Sequence, residues 1–254
     1  MLVPLRGFRP PPSLLDMTTV LIGGGWDPDH ASAGYGPFLE AAGAAPSVAC
    51  VIIDEGDGAE YFERFVCALT SVAACRPSAV LVPVGSTFLM SSLDGFDALL
   101  VCGGLTPAYG TALSPVSSSV RAWLAAGRPY AGFSAGAALA ASRAVVGGCL
   151  VDGRAVCPPD AAEDLDDVTV VDGLGLVPFA VDVHAAQWGT LGRLCAAVAT
   201  GLVPSGVAID EDTAVILGSG SPVVVGHGAA HAVTRTGAGV EVQSVTAGGA
   251  LPVG

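Results

Sequence analysis

Lysine and asparagine are absent from the chain, so all ten of its basic residues are arginine. Without lysine there is no Schiff-base chemistry, no phosphate loop of the Walker type and no serine–lysine dyad. Without asparagine there is no acceptor for N-glycosylation. Both absences are typical of a GC-rich coding sequence, which favours a bacterial source.

Positive charge is scarce as well, because 10 arginines stand against 23 acidic residues and the formal net charge is -13. Such a chain repels phosphate groups, which argues against nucleic acid and anionic membranes as partners. Hydrophobic residues make up 52% of the 254 positions, enough for a sizeable core. The composition is therefore typical of a globular protein.

The cysteines show no spacing typical of metal ligands, and no motif requires a cofactor. They are odd in number, scattered and set mostly among apolar residues, at positions 50, 67, 75, 102, 149, 157 and 195. We interpret them as buried, reduced thiols of a cytoplasmic protein.

The first sixteen residues contain no apolar stretch long enough for a signal peptide or a membrane span. They carry two arginines and a run of three prolines, so residues 1–16 are expected to be a loose extension. No linker or internal repeat divides the remainder, and residues 17–254 are predicted to form a single α/β domain.

Apolar runs that suit strands alternate with segments of helical periodicity through the first half of the chain. Predicted strands cover 18–22, 48–53, 79–84 and 96–102, with a further one ending near 131, and predicted helices cover 35–45, 61–74 and 116–126. In the second half, strand-like runs cover 145–151, 168–171, 176–184, 207–210, 214–217, 223–225 and 240–245, around a helix at 191–199. The alternation predicts a three-layer α/β/α fold with a mostly parallel, doubly wound sheet and C-terminal β-hairpins.

The first predicted strand leads into a glycine loop, Gly23-Gly24-Gly25. This loop lacks the third glycine of a dinucleotide-binding fingerprint, and Pro28 stands where the following helix should tighten. We therefore do not expect nucleotide binding. Three polar residues of the same loop are interpreted as solvated rather than metal-binding: Asp27, Asp29 and His30.

A single serine stands between two glycines in Gly132-Phe133-Ser134-Ala135-Gly136, where a strand should become a helix. A turn that pushes a hydroxyl out of the backbone strains its own residue, and flanking glycines let strand and helix pass closely. The pattern is typical of a nucleophile elbow, so Ser134 is the leading candidate nucleophile. The loops after Ile22 and Cys102 are expected to meet it at the carboxyl edge of the sheet.

A serine hydroxyl needs a base within hydrogen-bond reach, and the base needs an orienting carboxylate. His184 is the best placed of the four histidines, because it ends a strand-like run and can share the loop face with Ser134. For the carboxylate, Asp152 also follows a strand-like run. Three other acids compete with it: Asp160, Glu163 and Asp164.

An acyl-transfer site also needs two donors for the oxyanion. The N–H of Ala135, the residue after the nucleophile, is one candidate. The second would come from a flexible loop nearby, and Gly103-Gly104 supplies one, with Gly104 as the donor.

Six motifs, in register from about residue 18 to about residue 230, together resemble the cyanophycinase and aspartyl dipeptidase (dipeptidase E) serine peptidases. They are Gly103-Gly104, residues 132–137, Asp172-Gly173-Leu174-Gly175-Leu176, Asp182-Val183-His184, Gly192-Arg193-Leu194 and Ile209-Asp210-Glu211-Asp212-Thr213-Ala214. The resemblance implies a fold related to the class I glutamine amidotransferases, with serine in place of their cysteine, and commonly a homodimer. It implies Ser134 as nucleophile, His184 as base and an acidic third member, for which Asp152 is the nearest match.

The chain departs from this family at positions that hold the substrate. Cyanophycinases carry Asp-Gln-His and then two arginines before Gly-Arg-Leu, whereas this chain has Val183, Trp188 and Thr190 at those positions. After the double glycine the family has Asp-Gln or Asn-Thr, where this chain has Leu105-Thr106. Such a pocket suits a group less charged than the arginine of cyanophycin, since an unpaired buried guanidinium is costly. The predicted substrate pocket consists of Leu105, Thr106, Val183, Trp188 and Arg193.

Three functions are compatible with these residues. The first is a metal-independent serine hydrolase that cleaves a small peptide or isopeptide, with an aspartyl or otherwise acidic P1 group, through an acyl-enzyme. The second is an acyl-transfer enzyme of specialised metabolism, in which an amine or an internal nucleophile captures the acyl group. The third is a non-catalytic binding protein on the same fold. The intact serine, histidine and double glycine favour an enzyme.

Overall fold

The structure is a computed structural model that describes residues 17–253. The extension expected at residues 1–16 lies outside the described residues. In chain order the strands are β1 (Thr19–Ile22), β2 (Ser47–Asp54), β3 (Arg76–Pro83), β4 (Ala98–Val101), β5 (Tyr130–Phe133), β6 (Arg143–Gly147), β7 (Leu150–Val151), β8 (Arg154–Ala155), β9 (Thr169–Asp172), β10 (Ala180–Val183), β11 (Ser205–Ile209), β12 (Thr213–Leu217), β13 (Val223–Gly226), β14 (Ala229–Thr236) and β15 (Gly239–Thr246). The helices are α1 (Ala31–Ala42), α2 (Gly58–Val72), α3 (Thr106–Leu113), α4 (Ser117–Leu124), α5 (Ala135–Leu139) and α6 (Leu191–Thr200). None of the helices between residues 17 and 253 has the length and apolar content that a membrane crossing requires.

The main sheet has seven strands in the order β13-β12-β1-β5-β4-β2-β3. The five strands β1, β5, β4, β2 and β3 run parallel to one another. Strand β12 is antiparallel to both of its neighbours, β1 and β13. In register, Ile22 lies beside Phe133 and Val101 lies beside Gly132. The loops that follow β1, β4 and β5 therefore start side by side at one edge of the sheet.

Alternate residues of the central strands face opposite helix layers. Val20 and Ile22 of β1 pack with α1 and α2 on one side, whereas Leu21 packs with α3, α4 and α5 on the other. Both faces of the sheet are thus buried, which is why its strands are almost continuously apolar. This is the three-layer α/β/α arrangement that the alternation of elements predicts.

A second sheet of four strands, in the order β10-β11-β14-β15, forms its own hydrogen-bonded ladder and shares a hydrophobic core with the main sheet. Strands β10 and β11 are parallel, and the other pairs are antiparallel. Helix α6 covers this sheet through Leu194, Ala197 and Val198, which are buried in a cluster with residues of β10, β11 and β14. Two short two-stranded sheets, β6 with β9 and β7 with β8, complete the described part of the chain.

The structure differs from the sequence-based prediction in several segments, and the run expected as one strand over 145–151 forms β6 and β7 in separate sheets. Helix α3 occupies a segment expected to be a loop, and Pro107 in its first turn is compatible with a helix start. The strand expected over 176–184 is only β10, and it lies in the second sheet rather than in the main one. Strand β14 was not predicted, because its alanines and His231 are not typical strand formers.

A buried ion pair joins α6 to β10. The Arg193 guanidinium donates to both carboxylate oxygens of Asp182, from Nε at 2.9 Å and from Nη2 at 2.7 Å. Arg193 is 4% exposed and Asp182 is 1% exposed. The remaining groups are also satisfied, since Arg193 Nη1 donates to the Ala161 carbonyl and the Val183 N–H donates to Asp182. The pair therefore fixes the end of β10, two residues before His184.

Replacing Arg193 with methionine should lower the free energy of unfolding by about 3–5 kcal/mol, because the Asp182 carboxylate would stay buried without its partner. The matched control is Arg143→Met, which breaks the Arg143–Asp172 pair, whose side chains are 50% and 80% exposed. That change should cost about 1 kcal/mol or less. Urea unfolding followed by circular dichroism gives both values. Equal losses in the two variants would contradict the structural role assigned to Arg193.

Candidate active site

Ser134 occupies a strained turn between β5 and α5. Its φ is 50° and its ψ is -109°, a region that residues other than glycine rarely adopt. A Cβ atom on Gly132 would lie 2.5 Å from the Gly136 carbonyl carbon, and one on Gly136 would lie 2.0 Å from the Val101 oxygen. The Ser134 N–H donates to the Ile22 carbonyl at 2.9 Å. The two glycines thus allow the close approach that turns the serine out of the backbone.

His184 lies directly against this turn, with its Nε2 atom 2.8 Å from Ser134 Oγ. It follows the last residue of β10, and its N–H donates to the Gly23 carbonyl at 3.0 Å, which ties the second sheet to the loop after β1. A Cβ on Gly24 would lie 2.1 Å from His184 Cε1. Gly24 therefore leaves the room that the imidazole occupies.

Glu211 contacts the other nitrogen of the imidazole, with Oε1 2.7 Å from His184 Nδ1. A carboxylate can only accept a hydrogen bond, so Nδ1 carries the proton and Nε2 presents its lone pair to the serine hydroxyl. The Glu211 N–H donates to Gln187 Oε1 at 3.0 Å, which holds the backbone that carries the carboxylate. The three side chains form one hydrogen-bonded chain.

The prediction that Asp152 orients the histidine is wrong in this structure. Asp152 is exposed on the turn between β7 and β8, where its φ is 49°. Of the three competitors, Asp160 and Asp164 are exposed and Glu163 binds another loop, as described below. In the sequence, Glu211 directly follows the strand-like run at 207–210, but the pairing of β10 with β11 that brings it to His184 is seen only in the structure.

The imidazole is shielded from solvent. Burial lowers the pKa of His184 below its ordinary value, and the hydrogen bond from its ring to Glu211 offsets only part of that effect. Trp188 stacks on the ring with a centroid distance of 3.9 Å and an interplanar angle of 10°. Trp188 itself is 44% exposed. It lies at the site as predicted for a pocket residue, but its direct contact is with the imidazole.

Three backbone N–H groups near Ser134 have no acceptor among residues 17–253: those of Gly103, Gly104 and Ala135. Ala135 directly follows the serine. A Cβ on Gly103 would lie 3.2 Å from the Ser134 Cβ, so the double-glycine loop passes against the serine, and Gly104 has a φ of 136°. These N–H groups include those of Gly104 and Ala135, the two donors that sequence reasoning assigned to the oxyanion.

The segment after Gly104 is held by two glutamates. The Leu105 N–H donates to Glu55 Oε1 at 3.3 Å, and the N–H and hydroxyl of Thr106 each donate to Glu163 at 3.0 Å. Burial raises the pKa of the Glu163 carboxyl, although Thr106 donates to it. Leu105 and Thr106 therefore follow the double-glycine loop directly and lie next to two carboxylates that no sequence motif indicated.

Two predicted pocket residues do not line the site. Val183 is 5% exposed and packs in the hydrophobic core, because β10 turns its side chain inward. Arg193 is buried against Asp182 and is not available to a substrate. The prediction is wrong for both residues, and the site contains no free arginine at the position where an acidic substrate group was expected to bind.

No three His, Cys, Asp or Glu side chains converge as metal ligands would within residues 17–253. All seven cysteines are free thiols, and none belongs to the chain of Ser134, His184 and Glu211. The geometry is compatible with a serine nucleophile, a histidine base and an orienting carboxylate.

No family model matches the chain, and no curated protein matches it either. Solved structures do match. A peptidase from an acI-B1 Actinobacterium superposes with a TM-score of 0.63 at 15% identity, covering 93% of this chain and 96% of that one. A putative peptidase E protein from Listeria monocytogenes EGD-e superposes with a TM-score of 0.52 at 15% identity, covering 83% and 98%. The predicted fold class is confirmed: the chain shares the three-layer α/β/α fold of these two proteins.

Proposed function

We propose that the protein is a serine hydrolase that cleaves small peptides or isopeptides through an acyl-enzyme on Ser134. The observation that carries this proposal is the hydrogen-bonded chain from Ser134 through His184 to Glu211, set on a strained turn. Two proteins that share the fold are described as peptidases, which supports the same class of reaction.

In the acylation step, Ser134 Oγ attacks the carbonyl carbon of the scissile bond while His184 Nε2 accepts the hydroxyl proton. The oxygen of the tetrahedral intermediate receives hydrogen bonds from the N–H groups of Gly104 and Ala135. His184 then returns the proton to the leaving amine as the carbon–nitrogen bond breaks. Glu211 holds the imidazole in the required tautomer and stabilises its charged form. Water then attacks the acyl carbon while His184 Nε2 accepts its proton, and this proton passes to Ser134 Oγ as the ester bond breaks and the acid leaves.

The P1 group of the substrate carries less negative charge than the acidic group that the sequence favoured. An acidic P1 group would need a cation, and Arg193 is bound to Asp182. Around the site, the indole of Trp188 instead stacks on His184, and the carboxylates of Glu55 and Glu163 accept hydrogen bonds from Leu105 and Thr106 after the double glycine. These groups favour a neutral or amine-bearing peptide over an aspartyl one.

The experiment that tests the proposal is product analysis with matched dipeptides. β-Aspartyl, α-aspartyl and neutral dipeptides are incubated with the protein, with and without an added amine, and the products are identified by mass spectrometry. We expect free amino acids from the neutral dipeptides in preference to the aspartyl ones, and none from Ser134→Ala. An amide of the added amine would indicate acyl transfer instead. Equal product with Ser134→Ala and wild type would contradict the proposal.

Glu211→Gln should lower kcat/KM for 4-nitrophenyl acetate by roughly a hundredfold to ten-thousandfold, because the glutamine amide can stabilise the wrong imidazole tautomer. Asp152→Asn is the control, since its side chain is exposed on a turn away from the site, and its rate should stay unchanged. The opposite pattern, with Asp152→Asn inactive and Glu211→Gln active, would favour Asp152 over Glu211 as the acid that orients His184.

The pH profile of kcat/KM reports the state of His184. The base must be neutral, so the rate should rise with pH as the imidazole loses its proton and then reach a plateau. Because burial lowers the pKa of His184, the midpoint should lie below the ordinary histidine value of about 6.5. Glu211→Gln removes a group that raises this pKa, so its midpoint should move to still lower pH. A midpoint above the ordinary value in the wild type would contradict the lowered pKa assigned to His184.

A further inference from the structure

A cavity lies next to the candidate active site, between α1, α2 and the loop after β1. Its volume is about 610 Å³, within the range of small-molecule sites. Ser134, His184 and Glu211 are not among its lining residues. Gly24 separates the two spaces, because it lines the cavity and also abuts the His184 ring. The proposed hydrolase mechanism leaves this cavity unused.

The walls of the cavity are mainly apolar and aromatic, with Ile22, Trp26, Tyr35, Ala68 and Phe133 among them. Trp26 is anchored by Phe133 and Phe65, at ring-centroid distances of 4.7 Å and 5.0 Å. It is nevertheless 39% exposed, so part of the indole is not covered by protein. A rigid aromatic surface of this kind favours a ligand with a flat apolar body.

The charged groups around the cavity are mostly acidic. The carboxylates are those of Asp27, Glu63 and Asp212, against the single guanidinium of Arg64 and the imidazole of His30. Asp212 accepts a hydrogen bond from the Asp27 N–H at 3.1 Å, and the Asp27 carboxylate lies 3.8 Å from the His30 imidazole. Arg64 lies 5.7 Å from the centre of the Trp26 ring. With a net charge of -13 on the whole chain, the balance favours a cation over an anion.

We propose that this cavity binds an arylalkylamine, with the aromatic ring against Trp26 and the ammonium group near Asp27 and Asp212. The ring fills the apolar walls, and the ammonium group pairs with the acidic edge and can contact the indole face. This site is separate from the one that carries the proposed function, and binding does not depend on the Ser134 hydroxyl.

The test is a comparison of two ligands that share a ring and a linker. Tryptamine carries an ammonium group, and indole-3-propionate carries a carboxylate in its place. By isothermal titration calorimetry we expect saturable binding of tryptamine, about tenfold tighter than that of indole-3-propionate. Ser134→Ala should bind tryptamine as the wild type does, so loss of hydrolysis and loss of binding are separate results. No saturable tryptamine binding, or tighter binding of indole-3-propionate, would overturn the proposal.

Two pairs of variants locate the binding. Ala68→Trp fills the cavity from α2 and should abolish tryptamine binding, whereas Ala59→Trp, exposed on the same helix and outside the cavity, should leave it unchanged. Asp27→Asn keeps the oxygen that accepts from the Asp29 N–H but removes the charge, so binding should weaken about threefold or more. Asp57→Asn, away from the cavity, is its control. Circular dichroism verifies that each variant is folded. Tryptamine binding that survives Ala68→Trp would place the ligand elsewhere.

Discussion

Close backbone packing at the carboxyl edge of the main sheet is the constraint on which the candidate site depends. The turn at Ser134 exists only because Gly132 and Gly136 have no side chains where strand, helix and the neighbouring strand pass each other. The same constraint applies across the site, where Gly24 makes room for the His184 ring. A side chain at any of these three glycines would separate the groups that must meet. The geometry of the site thus depends on the absence of side chains at these three glycines.

The second sheet supplies the other half of the site. His184 follows β10 and Glu211 follows β11, and because these strands are parallel neighbours, the two side chains come from adjacent strand ends. The ion pair between Arg193 and Asp182 fixes β10 to α6 just before His184. The arginine that sequence comparison assigned to substrate binding therefore stabilises the framework that positions His184.

Much of the fold could be predicted from the sequence, because alternating apolar runs and helical periodicity are local signals. The nucleophile candidate could also be predicted from the sequence, since the glycines on both sides of Ser134 indicate the tight turn. The orienting acid was not, because Asp152 and Glu211 both follow strand-like runs, and only the pairing of β10 with β11 distinguishes them. Pairing between strands is a non-local property that a single sequence does not display. The burial of Arg193 was hidden for the same reason, as its partner lies on a different element.

The central claim is that Ser134 is a nucleophile activated by His184. The most direct measurement is labelling of the folded protein with a fluorophosphonate probe, followed by proteolysis and mass spectrometry to locate the adduct. The account predicts one adduct, on Ser134, that His184→Ala suppresses and Ser134→Ala abolishes. A folded wild-type protein that takes no label, or that takes it on a residue other than Ser134, would contradict it.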